Sequence, residues 1–78
     1  MEEYIEEKLQ ETYNQKKVEF DVQNGDNFRE YIIYVNIGRE VIGEILYIWD
    51  NAFTNESNYN KIKDDIDRII LQYYKNEF

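Results

Sequence analysis

Hydrophobic spacing along this chain changes period twice, and each change marks a boundary between elements. Between Glu2 and Gln15, Ile5 and Leu9 recur at helical spacing with Thr12 or Tyr13 next in the stripe and Tyr4 beside it, which predicts an amphipathic first helix. Lys17 to Gln23 then alternates, with Val18, Phe20 and Val22 on one side and Lys17, Glu19, Asp21 and Gln23 on the other. That is the period of an antiparallel strand with one wet face. Asn24-Gly25-Asp26-Asn27 follows, and because an Asn-Gly pair accepts positive φ, a hairpin into the next strand is expected.

From Phe28 to Val35 both faces of the alternating pattern are apolar or aromatic, Phe28, Ile32 and Tyr34 against Tyr31, Ile33 and Val35. A strand of that kind is central and covered. Asn36 to Arg39 supplies a second turn, and Glu40 to Trp49 alternates again, with Ile42, Glu44, Leu46 and Ile48 against Val41, Gly43, Ile45, Tyr47 and Trp49. Val41, Ile42, Ile45, Leu46, Trp49, Ala52 and Phe53 also fit a helical spacing, so residues 41–53 have two readings. The β-branched and aromatic content favours the strand, as does Gly43, which costs about 1 kcal/mol in a helix interior. A short helical turn near Asp50 to Phe53 can follow it.

Thr54 to Asn58 is a polar break in which Asn55 or Ser57 can cap the next element. Beyond it Tyr59, Ile62, Ile66, Ile69, Ile70 and Tyr73 recur at intervals of three and four. They predict a C-terminal amphipathic helix with Lys61, Asp64, Asp65, Arg68 and Gln72 outward. The expected fold is a single α+β domain over residues 1–78, ordered α-β-β-β-α, a three-stranded antiparallel meander sheet with the two helices packed on one face. Lys16, Lys17, Glu19 and Asp21 would blunt the first sheet edge.

Composition narrows the chemistry. The 78 residues contain no Cys and no His, which removes disulfides, thiolate metal sites, the commonest general base and the commonest transition-metal ligand. No cofactor or metal is implied, no Gly-rich phosphate loop is present, and the chain is too short to wall off a cleft around a carboxylate pair such as Glu30 and Glu44. A non-enzymatic protein is expected. The start MEEYIEEKLQE has neither a basic region nor an apolar run, and nothing approaches the ~20 apolar residues of a membrane span. A cytoplasmic protein with no membrane association is the expectation.

Seventeen acidic against nine basic residues give a net charge of −8, which argues against direct nucleic-acid binding and for a basic partner. Charge is concentrated at the start, where Glu2, Glu3, Glu6, Glu7 and Glu11 stand with Lys8 as the one base in residues 1–15. On a helix rising ~1.5 Å per residue, carboxylates four apart are ~6 Å from one another, close to the spacing of successive phosphates on a nucleic-acid strand. Glu19, Asp21 and Asp26 can add to this face, whose plainer reading is a solvated helix surface. Asp50, Glu56, Asp64, Asp65 and Asp67 lack the spacing of a calcium loop and read as a polar face paired with Lys61, Lys63 and Arg68. The tyrosines and Trp49 lack the cationic surroundings of base-stacking platforms. Most are core, and Tyr34, Tyr47 or Trp49 can anchor a protein interface.

In size, charge and element order the chain resembles the small acidic inhibitors carried by phages and mobile elements. It is most similar to the DNA-mimicking and type II-A anti-CRISPR proteins, and Ile32 to Asn36, IIYVN, is similar to the second strand of such a protein. The resemblance implies an inhibitor acting in a host bacterial cell on a basic nucleic-acid-binding protein such as a Cas effector. Glu2, Glu3, Glu6, Glu7, Asp21 and Asp26 are the phosphate surrogates that the charge pattern offers to that function, with Glu11, Tyr34, Tyr47 and Trp49 as further partner contacts. The double-stranded-RNA-binding domain shares the element order, but its lysine-rich last helix start has no counterpart beyond Lys61 and Lys63. The other expectation is a structural or interaction module, monomer or homodimer, that uses a strand edge or an aromatic sheet face.

Overall fold

Helix α1 (Glu2–Tyr13) forms where the Ile5–Leu9–Tyr13 stripe predicts it, and all three side chains are buried while Thr12 stays exposed. The i, i+4, i+8 spacing stacks them on one side of the helix, the side that must leave water. The structure, a computed structural model, describes residues 2–14 and 17–76, with the side chains of Glu2 and Asn76 outside that description. The expected last helical residue Gln15 and the edge charge of Lys16 lie outside the described residues. Lys17 has φ 56°, a left-handed conformation in the chain reversal between α1 and the sheet, where glycine or asparagine is the usual residue.

Strands β1 (Val18–Asn24), β2 (Glu30–Ile37) and β3 (Glu40–Ile48) form an antiparallel sheet in the order β1-β2-β3. Phe20 pairs with Val35 and Ile33 with Ile45, so the inward residues of the three strands meet in rows. Helix α2 (Asn55–Asn76) buries Tyr59, Ile62 and Ile66 against the same side as Ile5, Leu9 and Tyr13. The order α-β-β-β-α, with both helices on one face of a meander, is as the hydrophobic spacing predicts. Residues 40–48 are strand, which resolves their double reading.

Local chemistry departs from expectation at three places. Gly25 does not hold a positive φ; it is needed because a Cβ there would lie 2.6 Å from Cβ of Glu30. The connection runs five residues to Glu30, closed by the Gly25 N–H donating to the Glu30 carbonyl at 2.8 Å. The positive φ belongs instead to Gly38, at 64°, in the two-residue β2–β3 loop between paired Ile37 and Glu40. Positive φ at the first loop position alone is the φ pattern of a type II′ hairpin, whose twist suits the flanking strands.

A β-bulge between Val35 and Asn36 is the second departure: Val35 pairs with Gly43 and Asn36 with Val41, which leaves Ile42 as the extra residue. Ile42 therefore packs at the margin of the core instead of joining Glu44, Leu46 and Ile48 on the outer face. Third, the cap of α2 is Thr54, whose Oγ1 accepts the Ser57 N–H at 3.1 Å while its hydroxyl donates to Ser57 Oγ. Asn55 and Ser57 are inside the helix. As packing of both helices on one face requires, β2 is central and covered on one side only, leaving Ile32 and Tyr34 half-buried on a face without a helix.

Candidate protein-interaction surfaces

The residues singled out for partner binding fall into three places. In α1, Glu3, Glu6 and Glu7 stand at spacings of three and four, which places them on one helix face, and with Gln10 they line a shallow depression. Glu11 continues the row one turn beyond Glu7, and all four glutamates are exposed. Of Glu2 only the backbone is described. Asp21 is exposed on β1, on the side opposite the buried Val18 and Phe20 that meet α1. Asp26 is exposed in the β1–β2 connection. Of these residues, those of α1 form one continuous row, whereas Asp21 belongs to the other side of the sheet.

Two expected interface anchors are corrected. Tyr47 and Trp49 are each only 6 % exposed, and they pack with Tyr31 at ring-centroid distances of 5.8 to 6.4 Å on the inner face. They hold the core and offer nothing to a partner. Between the two alternating faces of β3, the inner one is that of Gly43, Ile45, Tyr47 and Trp49. Burying it removes two large rings from water, whereas burying the other would strand Glu44 without a counter-charge. Tyr34 does lie on the outer face, half-buried.

Charge is not neutralised where it is densest. Among the described residues the ion pairs are Lys63–Asp67 at 2.7 Å and Arg68–Asp65 at 3.7 Å, both within α2. The one base of α1, Lys8, lies 6.0 Å from the Tyr4 ring centroid. None of the three strands contains a lysine or arginine, although Glu19, Asp21, Glu30, Glu40 and Glu44 are all in them.

Several other polar groups have structural work. A groove between the helices is lined by Thr12, Tyr13, Lys63, Asp67, Ile70 and Tyr74 among others, and its polar groups bind one another. The Tyr13 phenol donates to Asp67 Oδ1 at 2.5 Å, and Lys63 Nζ donates to Oδ2 of the same carboxylate at 2.7 Å. Burial first, and then the bond to Asp67 and its charge, push the Tyr13 phenol well above the usual range. The Thr12 hydroxyl pairs with the Tyr59 phenol. Asp50 folds its own turn, Oδ1 accepting the Ala52 N–H at 2.9 Å. Among the described residues no three acidic side chains converge as metal ligands. Glu44 sits opposite Tyr34, four residues along β2 from Glu30, a separation of ~13 Å that prevents the two carboxyls from sharing a proton. No helix among the described residues is long and apolar enough to cross a membrane.

A feature that the charge pattern does not disclose lies on the outer sheet face. Ile32 pairs with Leu46 and Glu30 with Ile48, and Leu46 and Ile48 are 63 % and 59 % exposed. Val41, at 57 %, extends this strip toward the β2–β3 loop. Its signal in the sequence was the doubly apolar β2. Comparison of the chain with protein-family models, with curated proteins and with solved structures finds no match. What fold and surfaces define is an α+β domain that presents a carboxylate row on one helix and a bare sheet face opposite the core.

Proposed function

We propose that this chain is a non-enzymatic acidic inhibitor that occupies a basic nucleic-acid-binding site on a defence protein, such as a CRISPR-Cas nuclease, by substituting carboxylates for phosphates. The observation that carries this reading is the α1 row, Glu3, Glu6, Glu7 and Glu11, exposed and outside every ion pair among the described residues. Surface carboxylates that serve only solubility gain by being interspersed with lysine. Here four face one way and their helix holds one base. A cationic cleft built for a polyanion gains from such a row, most of all in on-rate, and the gain falls with salt.

The test is a DNA-binding assay with a guide-loaded type II-A CRISPR-Cas nuclease in the presence of the purified chain. Loss of DNA binding, weakened as salt rises from about 50 to about 500 mM, is the expected result. Reversing Glu3, Glu6 and Glu7 together to lysine removes the block. An inhibition indifferent to salt, or one that survives the triple reversal, contradicts phosphate mimicry. A second reading, a small interaction module working through its sheet, draws on the bare outer face. Of the three aromatic anchors expected for it, Tyr34 alone remains available.

A further inference from the structure

We infer that the outer face of the sheet is a docking site for one amphipathic helix of another protein, apolar along its centre and lined with lysine or arginine at its margins. This surface is distinct from the α1 row and does not depend on what that row binds.

Shape comes first. The apolar residues Ile32, Tyr34, Val41, Leu46 and Ile48 lie on β2 and β3, while β1 contributes Glu19, Asp21 and Gln23 to the same face. Two strands at ~4.8 Å spacing make a strip about 10 Å wide, the diameter of one helix with its side chains. From Val41 to Ile48 the strip runs about 23 Å, or roughly 15 helical residues. A standard protein–protein interface takes about 800 Å² from each partner, and a strip about 10 Å by 23 Å falls short of that, so it suits a single element better than a second globular surface.

Charge then selects the occupant. Tyr34 is flanked across the strands by Asp21 and Glu44, and Ile48 is opposite Glu30. With no lysine or arginine in any of the three strands, these carboxylates have no cation of the sheet beside them. A partner helix with apolar residues at i, i+3, i+4 and i+7 fills the strip, and its flanking cations meet Glu19, Asp21, Glu30 and Glu44. A second copy does not fit. Sheet against sheet sets the same carboxylates against each other, and the apolar stripes of its own helices, Ile5, Leu9 and Tyr13, and Tyr59, Ile62 and Ile66, are already buried in its core. Like-charge juxtaposition of that kind is a strong barrier to association.

The experiment titrates the full ¹⁵N-labelled chain with a synthetic helix of about 16 residues carrying leucine at i, i+3, i+4 and i+7 and lysine elsewhere. Two controls accompany it: the same composition scrambled, and the same leucines with glutamate for lysine. Expected are amide shifts on β2 and β3 and binding of the amphipathic lysine helix alone. Leu46→Ser with Ile48→Ser, both exposed and so tolerated by the fold, weakens binding about tenfold or more, and Tyr34→Ser does so independently. Glu3→Gln with Glu7→Gln leaves it within about threefold. Equal binding of the scrambled peptide, shifts confined to α1, or no binding at about 1 mM peptide each overturns the proposal. So does a dimer in sedimentation that Leu46→Ser with Ile48→Ser dissociates, since a second copy then covers the face. Loss of nuclease inhibition in the α1 variants leaves this result untouched, so the two proposals fail separately.

Discussion

Ile69 of α2 rests directly on Gly43 of β3, so closely that a Cβ on residue 43 would stand 2.7 Å from Ile69 Cγ2 and 3.1 Å from its Cδ1. The obstructing atom is the branch methyl of a residue whose χ1 is nearly fixed in a helix, so it cannot swing aside. Gly43→Ala therefore forces α2 away from β3 and lowers stability by about 1 to 3 kcal/mol, although alanine has the better strand backbone. Urea unfolding of the single variants and of Gly43→Ala with Ile69→Ala measures it. The double variant is expected to recover part of the loss, with a coupling of roughly 0.5 to 3 kcal/mol. Strict additivity contradicts the contact.

The same contact explains what the sequence did and did not disclose. Stripes such as Ile5–Leu9–Tyr13 and Val18–Phe20–Val22 have one period and one apolar side, and each became the element its spacing predicts. In β3 both alternating sets are apolar, so hydrophobicity alone could not say whether Tyr47 and Trp49 or Leu46 and Ile48 face the core. Gly43 was the informative residue, because a helix can approach a strand most closely where the side chain is absent. The bulge at Ile42 had no local signal, since alternation continues unbroken in the sequence through the residue that shifts it. By its sequence neighbours Asn58 likewise belongs to a polar break. It is fully buried, with its Nδ2 donating to the Asp50 carbonyl at 3.2 Å, a role that only the approach of α2 to the end of β3 creates. For the candidate site, the α1 glutamates were legible from spacing, while the outer strip depends on where the helices are not.

Tyr13 and Tyr47 set a limit on stability at high pH. Burial leads the upward shift of both phenols; Asp67 adds to it at Tyr13, and Tyr31 and Asp50 add to it at Tyr47, which is pushed up to about 12. In the unfolded chain both ionise near pH 10. Their contribution is therefore whole below about pH 10 and is lost as pH rises toward the folded values, because the unfolded chain releases protons that the folded one keeps. Lys63, raised by its bond to Asp67 and by that carboxylate's charge, acts in the same direction. Unfolding free energies from urea titrations should be flat in this respect from about pH 7 to 10 and fall above that, by roughly 1.4 kcal/mol per pH unit for each phenol. Tyr13→Phe lowers stability by about 0.5 to 1.5 kcal/mol at pH 7 and makes the alkaline decline shallower. An unchanged alkaline slope in that variant contradicts the burial of the Tyr13 phenol beside Asp67.

Thr54 governs the start of α2. Its side chain accepts the Ser57 N–H and its carbonyl accepts the Asn58 N–H at 3.0 Å, so one residue satisfies two donors of the first turn. Thr54→Ala is expected to lower stability by about 1 kcal/mol and to speed amide exchange at Ser57, while Asn55→Ala, already inside the helix, changes it much less. Equal effects at the two positions would return the cap to Asn55.

Glu7 separates stability from function in the α1 row. Glu3 and Glu11 lie four residues to either side of it, two like-charge pairs that each oppose the helix by a few tenths of a kcal/mol. Glu7→Lys converts both into attractive pairs and is expected to raise stability by roughly 0.5 to 1 kcal/mol, a gain that shrinks as salt is added. It places the cation beyond the first turn, where opposition from the helix dipole is weak. If the row is kept for a cationic partner, the same substitution weakens nuclease inhibition while the fold grows more stable, and the two changes move in opposite directions across Glu7→Gln and Glu7→Lys. A variant that gains stability and inhibits as strongly as the parent chain would show that the glutamates serve solubility alone. Thermal unfolding and the DNA-binding assay, run on the same three proteins at the same salt, decide between these outcomes.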